Sequence, residues 1–248
     1  SLWDTLRGVA EEVAEEKVKD RTVGRARRRY AGMARFTVLT LGAVLLAALI
    51  AYPDATEPAL TWDGYLQSLA LGGLAAGLVL AAAYGIEWGL TRRFGADRGL
   101  RPWWSGIASL VATSLFAGSP FGSTVHAEGE PTGARLSVGR FLLALQFAVF
   151  GLTLPLALLA LNVSYDFGAM GLTAVFALTA ANLLPFQPLP GASIWRWNRG
   201  VSLAMAFAGV LGYVAWQVGW IGLTAILVAG TAAPLVAVAL LAWPRKGP

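Results

Sequence analysis

Apolar runs long enough to cross a bilayer, joined by short charged links, limit this chain to very few folds. A transmembrane helix needs about 17–25 predominantly apolar residues. Within the hydrocarbon, backbone amides and carbonyls must bond inside their own helix or a closed barrel. Segments 36–52, 64–90, 138–163, 167–184, 201–216 and 220–243 all have that character. Hydrophobic residues make up 56% of the 248 and charged residues only 13%, about half the share in soluble domains. The expectation is an all-α polytopic membrane protein of about six transmembrane helices.

Charge gives the expected topology. The net charge is +5, and the basic residues flank apolar runs, which reads as membrane orientation and not as nucleic-acid binding. Residues 1–35 form the first expected unit: an amphipathic helix with Leu2, Leu6, Val9 and Val13 on one face, then a basic juxtamembrane segment. Its polar, acidic start predicts no cleavable signal peptide. Arg25, Arg27, Arg28 and Arg29 are candidate contacts for anionic lipids, since each basic residue beside an anionic leaflet contributes about 1 kcal/mol. Residues 36–248 form the transmembrane domain. Arg92, Arg93, Arg196 and Arg199 mark cytoplasmic links, while Asp54, Glu57, Asp63 and Asp166 mark outer ones. These assignments agree only if 103–125 enters and leaves on one side, as a re-entrant segment. A multi-pass cell-membrane protein with both termini cytoplasmic is therefore expected.

Small residues recur every fourth position at Gly73, Gly77, Ala81, Gly85 and Gly89, and again at Gly200, Ala204, Ala208 and Gly212. Such stripes let helices approach closely in lipid, and both are expected to be packing faces within the chain, with an oligomer interface as the alternative.

Catalytic options are few. The chain has no cysteine and one histidine, which removes thiolate chemistry and sulfur metal sites. His126 with Glu128 and Glu130 offers at most a loose metal site in a polar link. Glu87 is the ionisable residue placed inside a span, a functional candidate by default. Its proximity to Arg92 and Arg93 favours structural pairing over a polar pocket or ion handling. No serine–histidine dyad, paired intramembrane aspartates or nucleotide-binding loop is present.

The most distinctive stretch is Asn182-Leu183-Leu184-Pro185-Phe186-Gln187-Pro188-Leu189-Pro190-Gly191. It resembles the Asn-x-x-Pro-x-x-x-Leu-Asp-Gly motif of the site-2 proteases, which are intramembrane zinc metalloproteases. Further likenesses are Arg92-Arg93-Phe94-Gly95, the segment 103–124 with Gly118-Ser119-Pro120, and Leu136-Ser137-Val138-Gly139-Arg140. The resemblance covers about residues 64–200 and implies a site-2-protease-like core with a partly extended re-entrant element, followed by a C-terminal helix pair over 201–243. It places the family's His-Glu-x-x-His pentad at Ala83-Tyr84-Gly85-Ile86-Glu87. The ligand positions then fall on Ala83, Glu87 and Pro190, and the general base on Tyr84. A catalytic zinc needs about three protein ligands and an open position, and a base to take the proton of its water. Ala83, Tyr84, Glu87, Asn182 and Pro190 are thus positions of a vestigial site.

The expected reading is a pseudoprotease: no enzyme, no cofactor, a noncatalytic subunit or scaffold of a membrane complex. Its expected partners are the bilayer, anionic lipids and other membrane subunits, the last through the N-terminal helix and the segment 194–199. The alternatives are a transporter or channel-like protein using the vestigial cavity, and an intramembrane chaperone that grips client helices.

Overall fold

Several helices here begin at a polar cap, and several end beside a proline or glycine. A computed structural model describes residues 42, 62–94, 99–102, 106, 108–109, 111–112, 125–128, 138–186 and 189–242, all within the compact unit Val38–Pro248. In chain order these give α1 (Trp62–Phe94), β1 (Gly99–Pro102), β2 (Val125–Glu128), α2 (Val138–Phe150), α3 (Thr153–Asn162), α4 (Tyr165–Leu183), α5 (Pro190–Trp197), α6 (Arg199–Gln217) and α7 (Leu223–Ala242). The expected N-terminal helix, Arg25, Arg27, Arg28 and Arg29, and nearly all of the span 36–52 lie outside the described residues.

Capping chemistry sets the ends. The Ser164 hydroxyl accepts from the Phe167 amide at 3.4 Å, and Asp166 in the first turn of α4 complements the helix dipole. Asn198 caps α6 in the same way, its Oδ1 accepting from the Val201 amide at 3.1 Å. α4 stops at Leu184 (φ −63, ψ 137), because the ring of Pro185 disfavours helical backbone in the residue before it. The expected single span 138–163 is broken into α2 and α3. Pro155 has no N–H for the Gly151 carbonyl and crowds it. The Leu154 amide takes that carbonyl instead, at 3.2 Å, and the Thr153 hydroxyl donates to Phe150 O at 2.8 Å.

Among the described residues five stretches are long and apolar enough to cross a membrane: Ala70–Glu87, Val138–Asn162, Tyr165–Leu183, Arg199–Gln217 and Leu223–Ala242. α4 is the central one, 72% buried, with α1, α2, α3, α5 and α6 all packed on it. Two apolar clusters mark the two ends of the bundle. One gathers Leu90, Val138, Leu183, Ile194, Val201 and Leu240; the other gathers Leu159, Leu172, Tyr213, Trp216 and Leu223. At the second end an aromatic ladder ties three helices. Phe150 meets Phe176 edge-on at 5.3 Å, Phe176 stacks on Trp216 at 5.9 Å, and Trp216 donates to Thr173 Oγ1 at 2.9 Å.

The helical fold has one extended exception. β1 and β2 pair antiparallel, with Gly99 opposite Glu128, Leu100 opposite Ala127, Arg101 opposite His126 and Pro102 opposite Val125. The residues that flank the segment 103–124 therefore lie side by side. The flanking helices agree, since Leu90 near the end of α1 and Val138 at the start of α2 share one cluster.

Two packing expectations need correction. α6 and α7 do not lie along each other as a pair: α6 packs on α4 and α5, and α7 on α2 and α3. The small-residue stripes also do not mark the buried faces. α1 buries Gly72, Ala75, Ala76, Val79 and Leu80, while Gly85 and Gly89 are exposed with open space beside them. α6 buries Ser202, Ala206 and Tyr213 and leaves Gly200, Ala204 and Ala208 exposed. Close approach is built elsewhere. A Cβ on Gly168 would lie 2.5 Å from the Ala160 amide nitrogen, and one on Gly230 would lie 2.6 Å from Thr153 Oγ1.

Gly168→Ala should therefore force α3 and α4 apart at a cost of about 1–3 kcal/mol, lowering the thermal midpoint of the detergent-solubilised protein by several degrees. Gly85→Ala, where nothing lies within 4 Å of the added methyl, should leave the midpoint unchanged or slightly raised.

Candidate functional site

The Asn182–Gly191 stretch forms a sharp elbow between α4 and α5. Leu189 is extended (φ −71, ψ 155) and Pro190 opens α5, a first-turn position where its missing N–H costs nothing and its fixed φ suits the helix. The Leu189 amide donates to Phe186 O at 2.8 Å, and the Ala192 amide to Leu189 O at 3.1 Å. Gly191 sits directly on the end of α4: a Cβ there would collide with the Leu184 carbonyl oxygen and lie 2.5 Å from that of Leu183. From α6, the Ser202 hydroxyl donates to Gly191 O at 3.4 Å. Asn182 is half-buried in the last turn of α4. Backbone groups close the turn.

α1 presents the other side of the candidate site. Ala83, Ile86 and Leu90 recur at helical spacing on one face, and all three join the apolar cluster that holds Leu80, Phe141, Leu142, Leu178, Leu183 and Ile194. The helix face assigned to the vestigial pentad and the residues bracketing the elbow thus meet in one cluster, and hydrocarbon fills it. Tyr84 and Glu87 are half-buried, and Glu87 Oε1 is shielded from solvent. Pro190 is buried as part of α5's first turn. Ala83 and Pro190 have no atom able to bind a metal, and Glu87 supplies at most one carboxylate. These residues do not fit a catalytic zinc, which needs about three protein ligands. Among the described residues no three of His, Asp and Glu come together.

The remaining expected positions are dispersed. His126 and Glu128 lie on β2 opposite Arg101 and Gly99, and Glu130 is outside the described residues. The side chain of Arg92, expected beside Glu87, also lies outside them; Arg93 is exposed. At the elbow's outer face Trp195 lies under the Arg199 guanidinium, 5.8 Å from ring centroid to carbon, with Arg196 and Trp197 exposed beside it. A mixed aromatic and basic edge of this kind suits the membrane interface.

One feature was not legible in the sequence. Gln146 of α2 and Thr179 of α4 are almost wholly buried, 3% and 6% exposed. Gln146 Oε1 and Thr179 Oγ1 have no hydrogen-bond partner. Gln146 stands out as a polar residue inside a span; Thr179 carries no comparable signal, since threonine is common in membrane helices.

Comparison with protein-family models, curated proteins and solved structures gives no match.

Gly191→Ala should disrupt the elbow, because the new methyl meets two main-chain carbonyls that cannot move aside. The expected loss is about 1–3 kcal/mol, read as a lowered thermal midpoint. Gly200→Ala, whose Cβ would meet only Asn198 Oδ1 at 3.5 Å, is the matched control and should be near neutral.

Proposed function

We propose that this chain is a noncatalytic, site-2-protease-like membrane protein that serves as a subunit or scaffold of a membrane complex. The observation that carries the reading is that Ala83, Ile86 and Leu90 of α1 pack into the apolar cluster that also holds Leu183 and Ile194 from either side of the elbow. At the positions where the resemblance calls for two histidines, an acid and an aspartate stand Ala83, Glu87, Tyr84 and Pro190. A wet, charged cleft able to activate water is replaced by close apolar packing. Packing of that kind stabilises a shape, and a scaffold needs a stable shape.

The periphery supports the same reading. α6 and α7 bury only 17% and 22% of their spanning windows. Phe207, Leu211, Val228 and Leu235 point outward, giving apolar surface that serves lipid and neighbouring subunits alike. Arg93, Arg140, Arg196 and Arg199 belong to helix ends on the side of the Leu90–Val138–Ile194 cluster, and Asp166 to the opposite end. The positive-inside rule then assigns the arginine-bearing end to the cytoplasm, with both termini on that side once the span 36–52 is counted. The Trp195–Arg199 edge would meet partners there.

Gentle solubilisation of native membranes, affinity capture of the tagged chain and quantitative mass spectrometry test the proposal. It expects one or more membrane proteins recovered at a fixed ratio that survives a change of detergent. Recovery of the chain alone, monomeric in several mild detergents, would overturn the scaffold reading.

A further inference from the structure

A cavity of about 180 Å³ lies over α4 between α2 and α6, and Gln146, Phe147, Phe150, Thr179, Ala208 and Gly209 contribute to its wall. We propose that it is a binding site for a small hydroxylated molecule dissolved in the membrane, an alcohol or phenol with an apolar body about the size of one aromatic ring. This goes beyond the scaffold role and does not depend on it.

Size comes first. An apolar protein cavity of about 150 Å³ accommodates one benzene molecule. The space here is slightly larger, and Phe147 and Phe150 offer ring faces or edges to an aromatic guest. Access comes second. Ala208 is exposed on α6 while Gly209 is packed near Leu183 and Ala180, so the cavity reaches the bundle's outer surface, which in a membrane is lipid. A molecule partitioned into the bilayer reaches it without crossing water.

Chemistry comes third, and it is the specific part. Two oxygens, Gln146 Oε1 and Thr179 Oγ1, stand on facing helices without hydrogen-bond partners. An unmet buried polar group costs about 1–3 kcal/mol, and an apolar guest would leave both unmet. An amide oxygen only accepts, whereas a threonine hydroxyl both donates and accepts. A guest hydroxyl can donate to the first and accept from the second. A ketone or ether offers no donor to Gln146. Both oxygens are shielded from solvent in this state, so the guest engages them once the Gln146 carboxamide turns about its broad terminal torsion and Thr179 changes its χ1 rotamer.

Fluorine NMR on the full chain in nanodiscs tests this, with 4-fluorophenol as the probe and fluorobenzene as its counterpart lacking the hydroxyl. The expected result is saturable binding of 4-fluorophenol, at least tenfold tighter than any binding of fluorobenzene. Gln146→Leu and Thr179→Val should each reduce that preference, and Gln146→Leu should raise the thermal midpoint by removing an unmet polar group. Ala208→Phe, a change at an exposed position, should block binding and leave the fold intact. Equal binding of both probes would show an unselective apolar void and overturn the proposal. Absence of saturable binding, or binding that survives Ala208→Phe, would overturn it as well.

Discussion

The contact between Gly191 and the carbonyls of Leu183 and Leu184 is the point on which the arrangement turns. It lets α5 fold back against the end of α4 with no side chain between the two backbones. Once there, α5 delivers Ile194 into the cluster shared with α1, α2 and α7, and it brings its last turn onto Gly139 at the start of α2, where a Cβ would lie 2.8 Å from Ser193 O. The chain then leaves through Asn198 into α6, whose Ser202 reaches back to Gly191. Four helices are thus positioned by one turn that tolerates only glycine.

On the reading proposed above, the same turn would let a site-2-protease-like outline outlast its chemistry. The residues that shape the elbow, Pro185, Leu189 and Gly191, act through backbone restriction and close packing, and those effects do not require a metal. The residues that would bind a metal act through side-chain lone pairs, and Ala83 and Pro190 have none. On the proposed reading, with no metal to serve, Leu80, Ala83, Ile86 and Leu90 join one apolar cluster with Leu183 and Ile194. Apolar packing of this kind relieves the cost of placing several polar groups deep in the bundle.

The spans were legible because length and composition alone decide them: the expected 167–184 is α4 at Tyr165–Leu183, and 201–216 is α6 at Arg199–Gln217. Charge set the expectation that both ends of 103–124 share a side, and the β1–β2 pairing puts the residues flanking that segment next to each other. The buried faces were not legible. In water a helix marks its inner face by polarity, but a helix in lipid is apolar all round. Periodicity of small residues then misled: Gly85 and Gly200 share a pattern with true contact sites yet face outward, while Gly168 and Gly230, outside either stripe, make close approaches. The break at Gly151 came from Pro155, four residues on, whose effect reads as a local kink only once the carbonyl it cannot serve is identified. Thr179 became visible as a candidate only through what it lacks, since no sequence pattern reports an unmet hydrogen bond.

Zinc content measured on the purified, detergent-solubilised chain, after incubation with zinc and removal of loosely held metal, tests the central claim most directly. Replacement of the metal cleft by apolar packing predicts far less than one zinc per chain and no cleavage of a transmembrane peptide under the same conditions. One tightly held zinc per chain, with cleavage lost on chelation and restored on re-addition, would contradict it.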